Sequence, residues 1–190
     1  MDKLRTGERG QAGAGRLIIA LSGLPGSGKT TLARAIAQDI GGTVIAFSDH
    51  VRGLAALSGL PSSRGELQDL GEGVVAANPA AFLANAIAPA GDDWTVLILD
   101  GLRHLSLLGP LRELASEREA RFLHVHLEIP AESRLARLTA RGVPLKEAEI
   151  VEHHRVEADA RSALAERANV RLDASLPLEE EVREIIREVS

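Results

Sequence analysis

Three glycines, one lysine and two threonines lie within residues 23–31, in the stretch GLPGSGKTT. The stretch meets the pattern Gly-x-x-x-x-Gly-Lys-Thr. Glycine adopts backbone angles that a side chain forbids, so such a loop can turn consecutive N–H groups inward around a phosphate. The helix that follows adds its N-terminal dipole. We therefore expect a loop that binds ATP, through the following residues: Gly23, Gly26, Ser27, Gly28, Lys29, Thr30 and Thr31.

Two positions in this pattern imply a metal ion beside the phosphates. The Lys29 ammonium is expected to act in catalysis by reaching the β- and γ-phosphates, and the Thr30 hydroxyl to ligate Mg²⁺. A second Mg²⁺ ligand is expected at the end of another strand, and Asp100 ends the apolar run TVLILD. An aspartate there could instead cap a helix, and that alternative stays open.

Arginines follow the ends of two apolar runs. The segment FSDHVR places Asp49 and Arg52 just after the second run, and Arg103 follows Asp100 in DGLRH. A guanidinium group binds phosphate oxygens bidentately and does not lose its charge. We expect these three residues to face the acceptor of a phosphoryl group, with Arg103 also acting in the transfer. The alternative is that both arginines are ordinary surface residues.

A further arginine group has helical spacing. Arg134, Arg137 and Arg141 fall at i, i+3 and i+7, beside the apolar Leu135 and Leu138. Phosphoryl transfer depends on positioning and charge neutralisation, so we expect these three arginines to be catalytic and to close over the transferring phosphate. A solvated helix face is the alternative.

The elements that must position these residues alternate along the chain. Apolar runs predict strands at 16–22, 43–47, 95–100 and 122–129, with a weaker one at 169–173. Helical patterns separate the runs, and the first and third runs are apolar on both faces. This alternation predicts a three-layer α/β fold with a five-stranded parallel sheet and helices on both sides.

Two crossovers are longer than a single helix requires. Residues 48–93 predict a helical insertion that binds the acceptor, and residues 130–168 predict a lid. Residues 1–15 are polar and glycine-rich, which predicts a disordered leader before one domain at 16–190.

Composition narrows the classes of function. The net charge is −5 and aromatic residues make up 2%, so we expect no nucleic-acid partner. There is no cysteine and no apolar run of membrane-spanning length, and we expect a cytoplasmic protein without a membrane partner. The chain has only three lysines, which makes Lys29 more notable. The oligomeric state is left open.

These motifs resemble the nucleotide kinase group of P-loop proteins, which includes adenylate kinase, dephospho-coenzyme A kinase and phage deoxynucleoside monophosphate kinase. The overall likeness is to uncharacterised adenylate-kinase-like proteins. The resemblance covers about residues 16–189 and implies the P-loop NTPase fold. The segment SDHVR resembles the one whose arginine grips the acceptor phosphate in adenylate kinases, which implies that role for Arg52. The segment LDGLRH implies acceptor contact by Arg103.

Other segments extend the resemblance. SRGELQDLGEGVV is similar to a segment of phage deoxynucleotide kinases and implies that Arg64 and Gln68 face the acceptor. RLARLTARG looks like the start of a lid over ATP, of the short helical type found in dephospho-coenzyme A kinases. DGLRH lacks the proline of adenylate kinases, which argues against AMP as the acceptor.

The sequence thus predicts an ATP- and Mg²⁺-dependent phosphotransferase with a small nucleotide or nucleotide-like acceptor. Two alternatives remain: a kinase of a non-nucleotide alcohol, and a regulatory ATP-binding module without catalysis. The sequence contains no Asn-Lys-x-Asp motif, which GTPases use to recognise guanine, so a GTPase is not expected. His124 and His126 are interpreted as a half-buried strand face, and His153 and His154 as a solvated helix face, rather than as metal sites.

Overall fold

A computed structural model describes residues 15–59, 63–144 and 162–190 of the chain. The leader prediction, the segment 145–161 of the predicted lid, and His153 and His154 therefore lie outside the described residues. The elements follow in this order: β1 (Arg16–Gly23), α1 (Lys29–Ile40), β2 (Thr43–Ala46), α2 (Phe47–Leu57), α3 (Arg64–Ala77), α4 (Pro79–Ile87), β3 (Val96–Leu102), α5 (Leu108–Glu117), β4 (Ala120–Glu128), α6 (Ala131–Ala140), α7 (Ala163–Glu166), β5 (Val170–Asp173) and α8 (Leu178–Val189).

The described strands form one parallel sheet in the order β2-β3-β1-β4-β5. Strand β1 lies at its centre and is apolar on both faces, as the sequence predicts for a strand covered by helices on both sides. Ile18 and Ala20 belong to one core cluster, whereas Ile19 and Leu21 belong to the other. The predicted five-stranded, three-layer α/β architecture is confirmed.

Helices cover both faces of the sheet. Helices α1 and α8 pack on one face through Ile36 and Ile185, whereas α2, α4 and α5 contribute Phe47, Phe82 and Leu111 to the other. Each of these side chains is at least 96% buried, and burying one such side chain contributes about 1.5–3 kcal/mol. Packing against the sheet and against α8 therefore holds α1 in place, and with it the loop that precedes it.

Strand β3 is longer than predicted. It continues to Leu102, so Asp100 lies inside the strand and not at its end. In the ladder with β1, Leu21 pairs with Asp100 but Ser22 pairs with Leu102, which leaves Gly101 as an extra residue. Gly101 has φ of 99°, an angle that glycine adopts readily in a β-bulge. The bulge redirects the chain just after Asp100.

The long crossover after β2 is helical, as predicted. Ser63 and Glu66 form a capping box at the start of α3, in which each side chain bonds to the other's backbone N–H. Asn78 caps α4 by accepting a 2.9 Å hydrogen bond from the N–H of Ala81, and Pro79 is the first helical residue. These signals divide the insertion into separate helices that can surround a cavity.

No single helix in the described segments combines the length and the apolar character needed to cross a membrane. The segments Gly65–Ala77 and Pro79–Ala90 meet the criterion only as a pair, across a bend of 115°. Val75, Phe82 and Leu83 of this pair are buried in the core.

Candidate active site

The loop between β1 and α1 depends on glycines that contact other elements. Gly23, Gly26 and Gly28 all have positive φ, at 135°, 86° and 105°. A Cβ atom on Gly26 would lie 2.9 Å from Cγ of Leu138, and one on Gly23 would lie 2.7 Å from the carbonyl oxygen of Leu127. Strand β4 and helix α6 therefore pack so closely on the loop that a side chain cannot fit there.

Lys29 folds back onto this loop. Its side chain is 7% exposed, and Nζ donates hydrogen bonds to the carbonyl oxygens of Gly23 at 2.7 Å and Leu24 at 2.8 Å. Nζ also lies 3.4 Å from Oγ of the fully buried Ser27. The loop thus fixes an ammonium group with oxygen acceptors, the same kind of partner that a phosphate would offer.

Thr30 and Asp100 meet at the edge of the sheet. The Thr30 hydroxyl donates a 2.5 Å hydrogen bond to Oδ2 of Asp100, which is 6% exposed. Hydroxyl and carboxylate oxygens are the ligands that Mg²⁺ prefers, with water and phosphate oxygens completing the octahedron. These two residues fit a Mg²⁺ ion held next to the phosphate loop.

A cavity of about 650 Å³ joins the loop to the insertion. The loop and the start of α1 form one wall, and helices α2, α3 and α4 form the opposite wall. Most of the predicted site residues line it: Gly26, Gly28, Lys29, Thr30, Arg52, Gln68, Asp100, Arg103 and Arg141. Residues that are distant in the sequence therefore face one volume that is large enough for a small molecule.

Other predicted residues lie elsewhere. Asp49 is not among the residues that line the cavity, and its exposed carboxylate forms an ion pair with Arg52. Arg64 is the first residue of α3, and its side chain lies outside the described part of the structure. Thr31 is exposed near the start of α1. These positions remain predictions.

The three arginines of the predicted lid occupy different environments. Arg134 is 2% exposed and packs against Gly26, where an added Cβ atom would lie 3.2 Å from Cγ of Arg134. Arg137 donates hydrogen bonds to the carbonyl oxygens of Ser27 at 3.2 Å and Ala174 at 2.8 Å. Arg141 follows α6 and is the member of the three that lines the cavity. The three arginines share a helical spacing, yet Arg134 is buried, Arg137 bridges to the loop and Arg141 lines the cavity.

Sequence reasoning did not identify the apolar wall of the cavity. That wall contains Phe47, Val51, Leu67, Val75, Phe82 and Leu107. These residues carry ordinary core signals in the sequence, and only the folded insertion brings them together. His104 also lines the cavity, and its position in the segment DGLRH was the available signal.

His124 and His126 are more deeply buried than the half-buried face that was expected. They are 0% and 4% exposed, because α5 and α7 cover this face of β4 next to β1. Oγ of Ser22 lies 2.7 Å from Nε2 of His124 and 2.8 Å from Nδ1 of His126. Burial is the main cause that lowers the pKa of both rings from 6.5 to about 4. Among the described residues, no cluster of three or more His, Cys, Asp or Glu could hold a metal ion.

Comparison with known proteins identifies the family. Residues 19–160 match the family model described as AAA domain. The UPF0200 protein of Hyperthermus butylicus is 30% identical over 135 residues, which are 70% of this chain and 69% of that protein.

Two solved kinases share the fold at low sequence identity. Shikimate kinase from Aquifex aeolicus has a TM-score of 0.55 at 18% identity, over 91% of this chain and 96% of its own. A gluconokinase from Sinorhizobium meliloti has a TM-score of 0.57 at 19% identity, over 93% and 91%. The expected P-loop nucleotide kinase group fits all of these matches, and the solved structures share the P-loop kinase fold. The chain belongs to the AAA-domain family, and UPF0200 proteins are its relatives.

Proposed function

We propose that this protein transfers the γ-phosphoryl group of ATP to a small nucleotide or nucleotide-like acceptor. The observation that carries the proposal is the single cavity in which the phosphate loop faces the guanidinium-bearing insertion. A phosphotransferase needs its donor and acceptor in one volume from which water can be excluded.

The loop provides the donor side. Backbone N–H groups of the glycine-rich turn and the N-terminus of α1 would receive the β- and γ-phosphates. Lys29 is already held by two loop carbonyls, so a phosphate oxygen can replace a carbonyl as its partner with little movement. Thr30 and Asp100 would hold Mg²⁺, which neutralises charge on the phosphates when it is bound.

The insertion provides the acceptor side. Arg52 and Arg103 supply guanidinium groups after β2 and β3, at the carboxyl edge of the sheet where parallel α/β folds bind ligands. Phe47, Val51 and Phe82 form an apolar surface beside them, which suits a flat, weakly polar group such as a base. An acceptor phosphate is already ionised, so this reaction needs no strong general base.

Arg141 is proposed to neutralise charge on the transferring phosphoryl group. It lines the cavity on the side opposite the insertion, next to Leu138 of α6. Arg134 and Arg137, which contact the loop from outside, are proposed to set its shape rather than to touch the acceptor.

A kinase of a non-nucleotide alcohol is the second candidate. The fold neighbours named as shikimate kinase and gluconokinase favour it, because their names refer to hydroxyl-bearing acceptors. Such an acceptor would require a group that accepts the hydroxyl proton, and His104 and Asp100 line the cavity with that capacity.

The test is a screen for acceptors with ATP labelled at the γ-phosphate. Nucleoside monophosphates, dephospho-coenzyme A and small alcohols are each incubated with the protein, ATP and Mg²⁺. Label transfer to a phosphate-bearing acceptor supports the first proposal, and transfer to an alcohol supports the second. Tight ATP binding without any transfer would favour a regulatory module. Lys29→Ala is the control: it should abolish transfer because Lys29 acts through its charge, and thermal unfolding checks that the variant remains folded.

A further inference from the structure

The proposed reaction assigns no role to one cluster of three buried polar side chains. Ser22, His124 and His126 lie on neighbouring strands of the sheet, where Ala20 pairs with His124 and Ser22 pairs with His126. All three side chains lie on the same face, and all are at least 96% buried. Buried polar clusters are expensive unless their hydrogen bonds are satisfied, so this one calls for an explanation.

The hydrogen bonds of this cluster run in one direction. Nδ1 of His124 lies 3.4 Å from the carbonyl oxygen of Arg167, which can only accept, so Nδ1 carries the proton. The other nitrogen, Nε2, then accepts from the Ser22 hydroxyl. The Ser22 oxygen in turn accepts from Nδ1 of His126. The chain of hydrogen bonds requires a neutral His124, because its Nε2 must be able to accept, whereas His126 needs only a proton on Nδ1.

Charged groups around the cluster agree with neutral rings. Burial is the largest cause that lowers the pKa of His126; Glu128 raises this pKa, and Lys29 and Arg171 lower it further. Arg112 of α5 disfavours a proton on His124. The pKa of about 4 for each ring keeps both neutral at pH 7.

Ser22 stands immediately before the residue that holds Lys29. The Gly23 carbonyl accepts the 2.7 Å hydrogen bond from Nζ, so a shift of the Ser22–Gly23 peptide moves the partner of the ammonium. On the other side of β1 the ladder with β3 shifts register between Leu21 and Ser22. The regular pairing that would fix Ser22 is therefore interrupted on that side, and the histidines hold its side chain on the other.

We propose that Ser22, His124 and His126 are positioning residues of the phosphate loop, which fix the Ser22–Gly23 peptide and thereby the Lys29 ammonium. The expected effect of these residues on nucleotide binding rests on the proposed function. Their expected effect on the position of Lys29 does not, and it can be tested without any nucleotide.

The nucleotide-independent test measures the reactivity of the Lys29 amine. The chain has three lysines, so the rate of acetylation at Lys29 relative to Lys3 can be followed by mass spectrometry in one sample. Ser22→Ala should raise this relative rate about fivefold, the equivalent of one hydrogen bond of about 1 kcal/mol. His126→Leu should do the same, because it removes the donor to Ser22.

Matched variants separate positioning from a general loss of stability. His126→Asn keeps an N–H donor close to the position of Nδ1 and should restore the slow rate. Val170→Ala truncates a buried side chain in the other core cluster, packed on the opposite side of the sheet, and should lower stability without changing the rate at Lys29. Ser22→Ala removes one oxygen atom only, so it carries the test even where His126→Leu does not fold.

Binding of Mg²⁺ and a fluorescent ATP analogue is then measured on the same variants. Ser22→Ala should weaken binding about fivefold by the same reasoning, and Val170→Ala should not. An unchanged acetylation rate at Lys29 in Ser22→Ala would overturn the positioning proposal, whatever the nucleotide does. Failure of the unmodified protein to bind the analogue would instead overturn the proposed function, with the acetylation result still deciding the role of the cluster.

Discussion

Thr30 donates a 2.5 Å hydrogen bond to Asp100, which is 70 residues further along the chain. The contact joins the first turn of α1 to the bulged end of β3, and it makes the two oxygens neighbours before any ion is bound. A divalent ion could exploit this arrangement by taking an oxygen from each residue.

Asp100→Asn should lower turnover at least about a hundredfold, because the amide keeps the shape but not the charge that a Mg²⁺ site requires. Thr30→Ser keeps the hydroxyl and should remain close to the unmodified protein. The measurement is turnover as a function of Mg²⁺ concentration, once an acceptor is known. If Asp100→Asn retains the Mg²⁺ dependence of the unmodified protein, Asp100 is not a ligand.

Arg52→Lys and Arg103→Lys should each raise the KM for the acceptor about tenfold, because the charge remains but the bidentate fork is lost. The KM for ATP should change little. Arg34 lies on the exposed side of α1, away from the cavity, and Arg34→Lys is the matched control. An unchanged acceptor KM in both variants would place the acceptor elsewhere and favour the regulatory alternative.

Replacing each of the three arginines near α6 should affect a different measured property. Arg141→Ala should lower kcat about tenfold or more with little effect on ATP affinity, because a cavity residue acts on the transferring group. Arg137→Ala should weaken ATP binding, because it removes the bridge from the loop carbonyl of Ser27 to Ala174.

Arg134→Ala should act mainly on stability, with a loss of about 2 kcal/mol, because its buried side chain packs on the loop. Turnover, ATP affinity and urea unfolding are measured for all three variants. Identical effects of the three replacements would contradict the different environments described above.

The buried histidines should make the protein less stable in acid. Because their pKa values are about 4 in the folded protein and 6.5 in the unfolded chain, the unfolded state binds more protons between these values. Stability is therefore complete above pH 6.5 and is lost as the pH falls toward 4, by about 1.4 kcal/mol per pH unit for each ring. For both rings together, we expect a loss of about 4 kcal/mol between pH 7 and pH 5.

Urea unfolding at pH 7, 6 and 5 measures this loss. The double variant His124→Gln/His126→Asn lacks both titrating rings and should show a smaller decrease over the same range. Equal decreases in the two proteins would show that groups other than these two rings dominate the acid response. Glu181 is not one of those groups, because burial raises its pKa and its protonation in acid therefore favours the folded state.

The sequence was sufficient for features that rest on local patterns. The spacing from Gly23 to Thr30 predicted the loop, and the apolar runs predicted the sheet, because each depends on residues that are adjacent in the chain. The hydrogen bonds that join Ser22 to His124 and His126 could not be predicted from the sequence, because they depend on the register between β1 and β4. Asp100 was expected at a strand end, but the bulge at Gly101 is a property of two paired strands. The burial of Arg134 depends on how α6 docks, which helical spacing alone does not determine.

Phe47, Val51, Val75, Phe82 and Leu107 belong both to the hydrophobic core and to the wall of the cavity. An acceptor that covers this wall would complete the core as a missing side chain would, so part of its affinity would come from the same water release that drives folding. Binding would then carry a negative heat-capacity change and raise the melting temperature. Calorimetry could therefore recognise the natural acceptor among many compounds before any phosphate is transferred.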